Sequence, residues 1–299
     1  MSGAQRELAE RIAAAPASWG ICELPGWGYQ IPVEQVLDDM RTLGLKHTEL
    51  GPDGFIPGAP EQQAGLLGRY GLTALGAFVP VVLYDRANSP DPTIRAVLDA
   101  FEVLGAEMMV ISADSGGTTY DNRPELDDDQ WRTLIENLER AVDMAAERGV
   151  KACVHPHMGT MIQTPDEVQR VLASCEVPIC LDTGHLTVGG TDPVALAKQA
   201  PERVAHVHFK DVDAELVAAV QSGQHDYTDA VRLGMYKPLG QGAVDLAEIV
   251  RTLEGAGYNG WYVPETDRVL AGEPSAENEP LEDMRTSVEF LRGLSRVSA

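Results

Sequence analysis

The sequence predicts one closed (β/α)₈ barrel, the TIM-barrel architecture, as a single domain over residues 1–299. Two observations carry that expectation. Short runs rich in β-formers alternate from end to end with longer stretches of helical periodicity, the pattern of parallel strands joined by crossover helices. The polar residues that carry chemistry collect at the strand ends, where barrels place their reactive groups. The length of 299 residues also suits one such barrel, which needs about 250.

The first expected strand is Ile12–Ala17, followed by the turn SWGICELPGWG and a helix over Pro32–Leu43. Strand–helix pairs then follow at His47–Leu50 with Pro60–Tyr70, Leu72–Val79 with Asp91–Leu104, and Met108–Ser112 with Asp127–Arg148. The second half gives Lys151–His155 with Pro165–Ser174, Pro178–Asp182 with Pro193–Gln199, Val204–Phe209 with Leu246–Ala256, and Trp261–Glu265 with Leu281–Leu294. Gly44, Gly71, Gly105, Gly149 and Gly257 each follow a helical stretch as helix-stopping glycines do, and Pro165 and Pro193 fall where a first turn tolerates proline. An open doubly wound sheet would show a Gly-rich ligand fingerprint in its first β–α turn, and this turn has none. One connection is far longer than a typical βα loop: the insertion at 212–244, after the seventh strand, reads as a partly helical cover over the active site.

Composition excludes several function classes. A hydrophobic content of 44% with 23% charged residues fits a globular protein, and no apolar run approaches the roughly 20 residues of a membrane helix. Met1 to Ala15 lacks a basic region followed by an apolar core, so a cytoplasmic protein is expected. The net charge of -23 speaks against a nucleic-acid partner. No phosphate-cradling GxxxxGK[ST] or GxGxxG appears, which favours an unphosphorylated small molecule, a polyol or keto-sugar. Self-association into a homo-oligomer stays open. Cys22, Cys153, Cys175 and Cys180 have neither CxxC nor disulfide spacing and read as buried thiols in a reducing compartment.

The expected strand ends read CVHPHMGT, CLDTGH, HVHFKD and YVPETD, and five of the seven histidines lie in them. Residues two apart share a face of a strand. Cys153 and His155, Cys180 and Asp182, His206 and His208 with Lys210, and Val263 with Glu265 therefore point into the barrel. Val154, Leu181, Val207 and Tyr262 point to the helices. Taken singly, each polar group reads as a satisfied hydrogen-bonder; four in phase on successive strands need a common partner, and a metal supplies it. The proposed ligands are His155, Asp182, His208 and Glu265. A mixed nitrogen and oxygen set suits one divalent ion, Mn²⁺ foremost, with Co²⁺, Fe²⁺, Zn²⁺ or Mg²⁺ as alternatives.

CLDTGH, HVHFKD and VPETD resemble the motifs of the xylose isomerase-like barrel superfamily of sugar phosphate isomerases and epimerases. The resemblance spans nearly the whole chain and implies a metal held by Glu, Asp, His and Glu; here His155 replaces the first Glu. HPHMGTMIQT in turn resembles the HHHMGT segment of the inosose dehydratases. APASWG, HTELG, DTGHLTVGGTDP, HFKDV and GMYKPLGQGAVD add to that similarity. It implies a keto-inositol substrate and loss of water from it through α-proton abstraction. A sugar or inosose isomerase or epimerase working through an enediolate is the alternative.

For acid and base roles the candidates are His185, Lys210, His157 and Glu49. The resemblance places His185 near substrate oxygens; on its own it reads equally as a supporting hydrogen-bonder. Lys210 is a candidate for a developing oxyanion, with a buried ion pair to Asp211 or Glu49 as the bland reading. Trp19 and Phe78 are candidates for an apolar wall. Ser112 and Gln163 serve equally as substrate hydroxyl partners or loop ties. His206 is expected one layer too deep to be a ligand.

Overall fold

The structure, a computed structural model, describes residues 6–275 and 279–295. Seven parallel strands line up in one sheet: β1 (His47–Glu49), β2 (Thr73–Val81), β3 (Met108–Ala113), β4 (Lys151–Val154), β5 (Ile179–Asp182), β6 (Val204–Phe209) and, at the far edge, β9 (Tyr262–Pro264). The eighth position is filled by the segment around Ile12. Ile12 bridges in parallel to Tyr262 and Ala14 to Thr48, which joins the two edge strands into a ring. The expected strand Ile12–Ala17 is thus shorter than read from sequence. Pro16, with no N–H and a fixed φ, starts a 3₁₀ turn over Pro16–Trp19 and ends the pairing.

The helices are α1 (Val33–Thr42), α2 (Pro60–Arg69), α3 (Asp91–Leu104), α4 (Asp128–Glu147), α5 (Pro165–Ser174), α6 (Thr183–Gly189), α7 (Pro193–Gln199), α8 (Ala214–Gln221), α9 (Tyr227–Arg232), α10 (Leu246–Gly255) and α11 (Pro280–Ser295). Among the described residues none is long and apolar enough to cross a membrane. α3 shows why these segments are helical. Ile94, Leu98, Phe101 and Leu104 recur at helical spacing and are buried, each fully covered large side chain contributing about 1.5–3 kcal/mol. Gly105, in the left-handed region at φ 68°, stops the helix and its N–H donates to the Phe101 carbonyl at 2.8 Å.

The strand alternation holds as expected. Val154, Leu181, Val207 and Tyr262 pack in the helix-facing core, whereas Cys153 and Cys180 meet Met108 and Val110 inside the barrel, and Trp261 and Val263 meet Ala13 and Leu75 there. The 212–244 segment is partly helical, as its length implied. It holds α8 and α9 between two short antiparallel strands, β7 (Asp211–Val212) and β8 (Tyr236–Lys237).

Candidate active site

The barrel interior leads up to a cavity of about 80 Å³ whose wall includes Glu49, His155, His208, Lys210, Glu265 and Asp267. All six are at least half-withdrawn from solvent, and Lys210 is 1% exposed. Burying an ammonium so completely requires opposite charge at contact distance. Lys210 Nζ donates to Asp182 Oδ2 at 2.6 Å and to Glu265 Oε2, and lies 3.7 Å from Asp267 Oδ1. Burial alone would lower its pKa, but Asp182, Asp267 and Glu265 overcome that and hold it well above the ordinary lysine value.

Asp182 divides its two oxygens between structure and site. Oδ1 caps α6 by accepting the His185 N–H at 2.8 Å, while Oδ2 faces Lys210 and His155 Nε2, the latter at 3.2 Å. Burial would raise its pKa; Lys210 and His185 hold it well below the carboxylate range. Gly184 makes the close approach possible. A Cβ there would meet Lys210 Cβ at 2.5 Å and the Tyr236 ring at 2.7 Å. Gly184→Ala is therefore expected to cost about 1–3 kcal/mol through overpacking, read as a lowered urea midpoint with the slope unchanged.

Glu49 works through the histidines of β6. Its Oε1 accepts the Nε2–H of His206 at 2.8 Å and of His208 at 2.9 Å. Against the effect of burial, these imidazoles hold its carboxyl well below the usual range. His208 Nδ1 then faces Glu265 Oε2 at 3.3 Å and Asp182 Oδ2 at 3.7 Å without making a hydrogen bond. Burial opposes protonation of His208, but Cys180, Glu265 and Glu49 raise its pKa well above the ordinary value. Burial lowers the His155 pKa to about 4, so that imidazole is neutral. His157 is also driven well down by burial; its Nδ1–H donates to the Met158 carbonyl at 2.7 Å, which leaves Nε2 as the lone-pair nitrogen.

These donors fit a divalent ion. Asp182, His208 and Glu265 bring one ligand atom each within 4.8 Å of one another, as do His155, Asp182 and His185, and Asp182 belongs to both groups. His208 Nδ1 has no partner in that cluster, and its other nitrogen is braced by a carboxylate, the arrangement that supports metal-bound imidazoles. The Lys210 ammonium already lies where the two carboxylates converge, so a cation is electrostatically matched to the spot.

A model of the xylose isomerase-like TIM barrel family matches residues 37–294. The chain belongs to that family. It is an enzyme. An inosose dehydratase of Geobacillus kaustophilus is 31% identical over 271 residues, covering 86% of this chain and 87% of that protein. The rhizopine catabolism protein MocC of Rhizobium meliloti is 33% identical, covering 86% and 82%. A crystal structure of the IolI protein with a bound zinc atom superposes with a TM-score of 0.67 at 14% identity, covering 95% of this chain and 98% of that one, a likeness of fold.

On this xylose isomerase-like barrel, His155, His157, His208, Glu265, Lys210, Glu49 and Phe78 all line the cavity, and Asp182 lies outside the lining, in contact with His155 and Lys210. Other expectations are corrected. Trp19 is in the helix-facing core, its Nε1–H donating to Asp39 Oδ2 at 2.9 Å, because the 3₁₀ turn breaks the two-residue period that had aimed it inward. Gln163 is a loop tie: its Oε1 accepts the Gly159 N–H at 2.7 Å. Ser112 lines a neighbouring chamber and not this cavity. His185 stands behind the wall, its Nε2 3.4 Å from Asp267 Oδ2 and its Nδ1 3.3 Å from the Tyr236 hydroxyl. Lys210 pairs with Asp182 and Glu265 in place of Asp211 or Glu49. His206 lies below His208, as expected.

Sequence reasoning missed Asp267, Trp27, Tyr120 and Tyr227 in the cavity wall. Asp267 carried a usable signal, since it lies two residues beyond Glu265. Burial, with Glu265 and Asp182 nearby and Lys210 and His208 opposing, raises its pKa to about 7. Trp27 and Tyr120 come from loops without periodicity, and Tyr227 opens the short helix α9 of the insertion. Trp27 and Tyr120 meet edge to face at 5.7 Å, and Tyr120 and Tyr227 at 6.1 Å. The insertion supplies Tyr227, whose hydroxyl donates to Asp267 Oδ2 at 3.4 Å.

Proposed function

We propose that this enzyme removes water from a keto-inositol, with one divalent ion held by His155, Asp182, His208 and Glu265. The two imidazoles and two carboxylates suit Mn²⁺. Bound there, the ion supplies Lewis acidity to a substrate carbonyl. His157 Nε2, with its tautomer set by Met158, accepts the proton from the carbon next to that carbonyl. The C–H electron pair becomes the enolate π-bond, and the Lys210 ammonium at the cavity floor stabilises the oxygen on which charge develops. Asp267, backed by His185 and the Tyr227 hydroxyl, delivers a proton to the β-hydroxyl as the C–O bond breaks and water leaves. Glu49 holds His208 in position in place of the free-base role considered from sequence.

Phe78, Trp27, Tyr120 and Tyr227 present an apolar wall to the C–H face of a polyol ring and keep water from the enolate. The observation that carries the reading is the gathering of Lys210, His157 and Asp267 around one acid-rich cavity, a base, an oxyanion partner and an acid in a single wall. The choice of dehydration over epimerisation is supported by the inosose dehydratase relatives. A product assay tests it: incubation with a keto-inositol is expected to generate the ultraviolet absorbance of a conjugated dione. Flat absorbance with a changed sugar stereochemistry identifies an epimerase instead.

A further inference from the structure

We propose that a second chamber beside the catalytic cavity is a binding subsite for a neutral, hydroxylated substituent carried by the substrate ring. The proposal rests on the keto-inositol reading above. The chamber measures about 220 Å³ and shares Glu23, Phe78 and Tyr120 with the wall of the catalytic cavity. That exceeds the roughly 30 Å³ share of one water several times over, leaving room for a ring-sized group. The two compartments are neighbours across these three residues. The Tyr120 hydroxyl donates to the Glu23 carboxylate and so clasps the turn after the first barrel segment to the loop after β3.

The chamber's own chemistry names its ligand. Ser112, at the end of β3 and 0% exposed, lines it with a hydroxyl oxygen that has no hydrogen-bond partner. A buried hydroxyl left unpaired is costly unless something satisfies it. The other buried hydroxyls on this wall are already used: Thr160 Oγ1 donates to the His157 carbonyl at 2.8 Å, and Ser115 Oγ accepts the Gly117 N–H at 3.2 Å. Asp114 contributes negative charge and, among the described residues, no Lys, Arg or His lines the chamber, so an anionic group is disfavoured. Pro80 and Phe78 add an apolar surface suited to the C–H face of a sugar.

Calorimetric titration of the full chain with two unreactive probes, myo-inositol and myo-inositol bearing one O-linked hexose, tests this. The wild type is expected to bind the glycosylated probe about fivefold or more tighter, the worth of one or two new hydrogen bonds. Ser112→Ala and, at the exposed rim, Thr118→Trp should each bring that ratio to about one. A wild type that binds the plain polyol but gains nothing from the hexose overturns the subsite and leaves the proposed function standing. A ratio unchanged in both variants also overturns it, as does binding of neither probe, while the proposed function stands or falls on the product assay above.

Discussion

Asp182→Asn is expected to lower kcat/KM by on the order of 10³ or more, about 4 kcal/mol of transition-state stabilisation, with little loss of fold stability. The asymmetry comes from the division of labour between the two oxygens. An Asn keeps an acceptor for the His185 N–H and so preserves the α6 cap, which sits on Oδ1 at 2.8 Å. It replaces Oδ2, which faces both His155 and Lys210, by an uncharged amide. Asp182 brings a ligand atom within 4.8 Å of those of His155 and His185 and, in a second group, of those of His208 and Glu265, so it links the two sides of the proposed ion site. Steady-state kinetics paired with thermal melting check both halves. Activity within tenfold of the wild type contradicts the role given to Asp182.

The largest stability effect is expected one residue after Lys210. Asp211 is fully buried, and its carboxylate accepts four backbone N–H groups: Val212 and Val244 on Oδ1, each at 3.0 Å, and Gly240 and Gly242 on Oδ2, at 2.9 and 2.8 Å. It pins the end of the insertion to its beginning. A Cβ at position 242 would lie 2.3 Å from Asp211 Oδ1, so the glycine there is what lets the turn close on the carboxylate. Asp211→Ala strips the partners from several donors at once, and a cost of about 3–5 kcal/mol follows. Urea unfolding should show a correspondingly lower midpoint. Because the insertion carries Tyr227 and Tyr236 to the site, KM should rise as well. A loss below about 1 kcal/mol contradicts this account.

Much of the architecture was legible because its cause is local and periodic. α3, α5 and α7 begin and end at the residues read from sequence, each opened by a proline in its first turn, and α3 closed by Gly105. The inward row of Cys153, His155, Cys180, Asp182, His206 and His208 follows from the two-residue period of β4, β5 and β6 and their parallel register. Legibility failed where that period is broken. Trp19 left the site through a 3₁₀ turn, and α6 begins immediately after Asp182 with no connecting loop, which carries His185 behind the wall. Trp27 and Tyr120 reach the cavity on loops, and Tyr227 on the short helix α9, along paths set by tertiary contacts such as the Trp27 Nε1–H donated to the Arg268 carbonyl at 2.9 Å.

The proposed function requires one divalent ion shared by side chains from four barrel segments. Anomalous scattering from crystals grown with Mn²⁺ tests it most directly. A single strong peak is expected in contact with His155, Asp182, His208 and Glu265, with the Lys210 ammonium no longer between the two carboxylates. A peak among Glu49, His206 and His208, or none at the cavity floor, contradicts it.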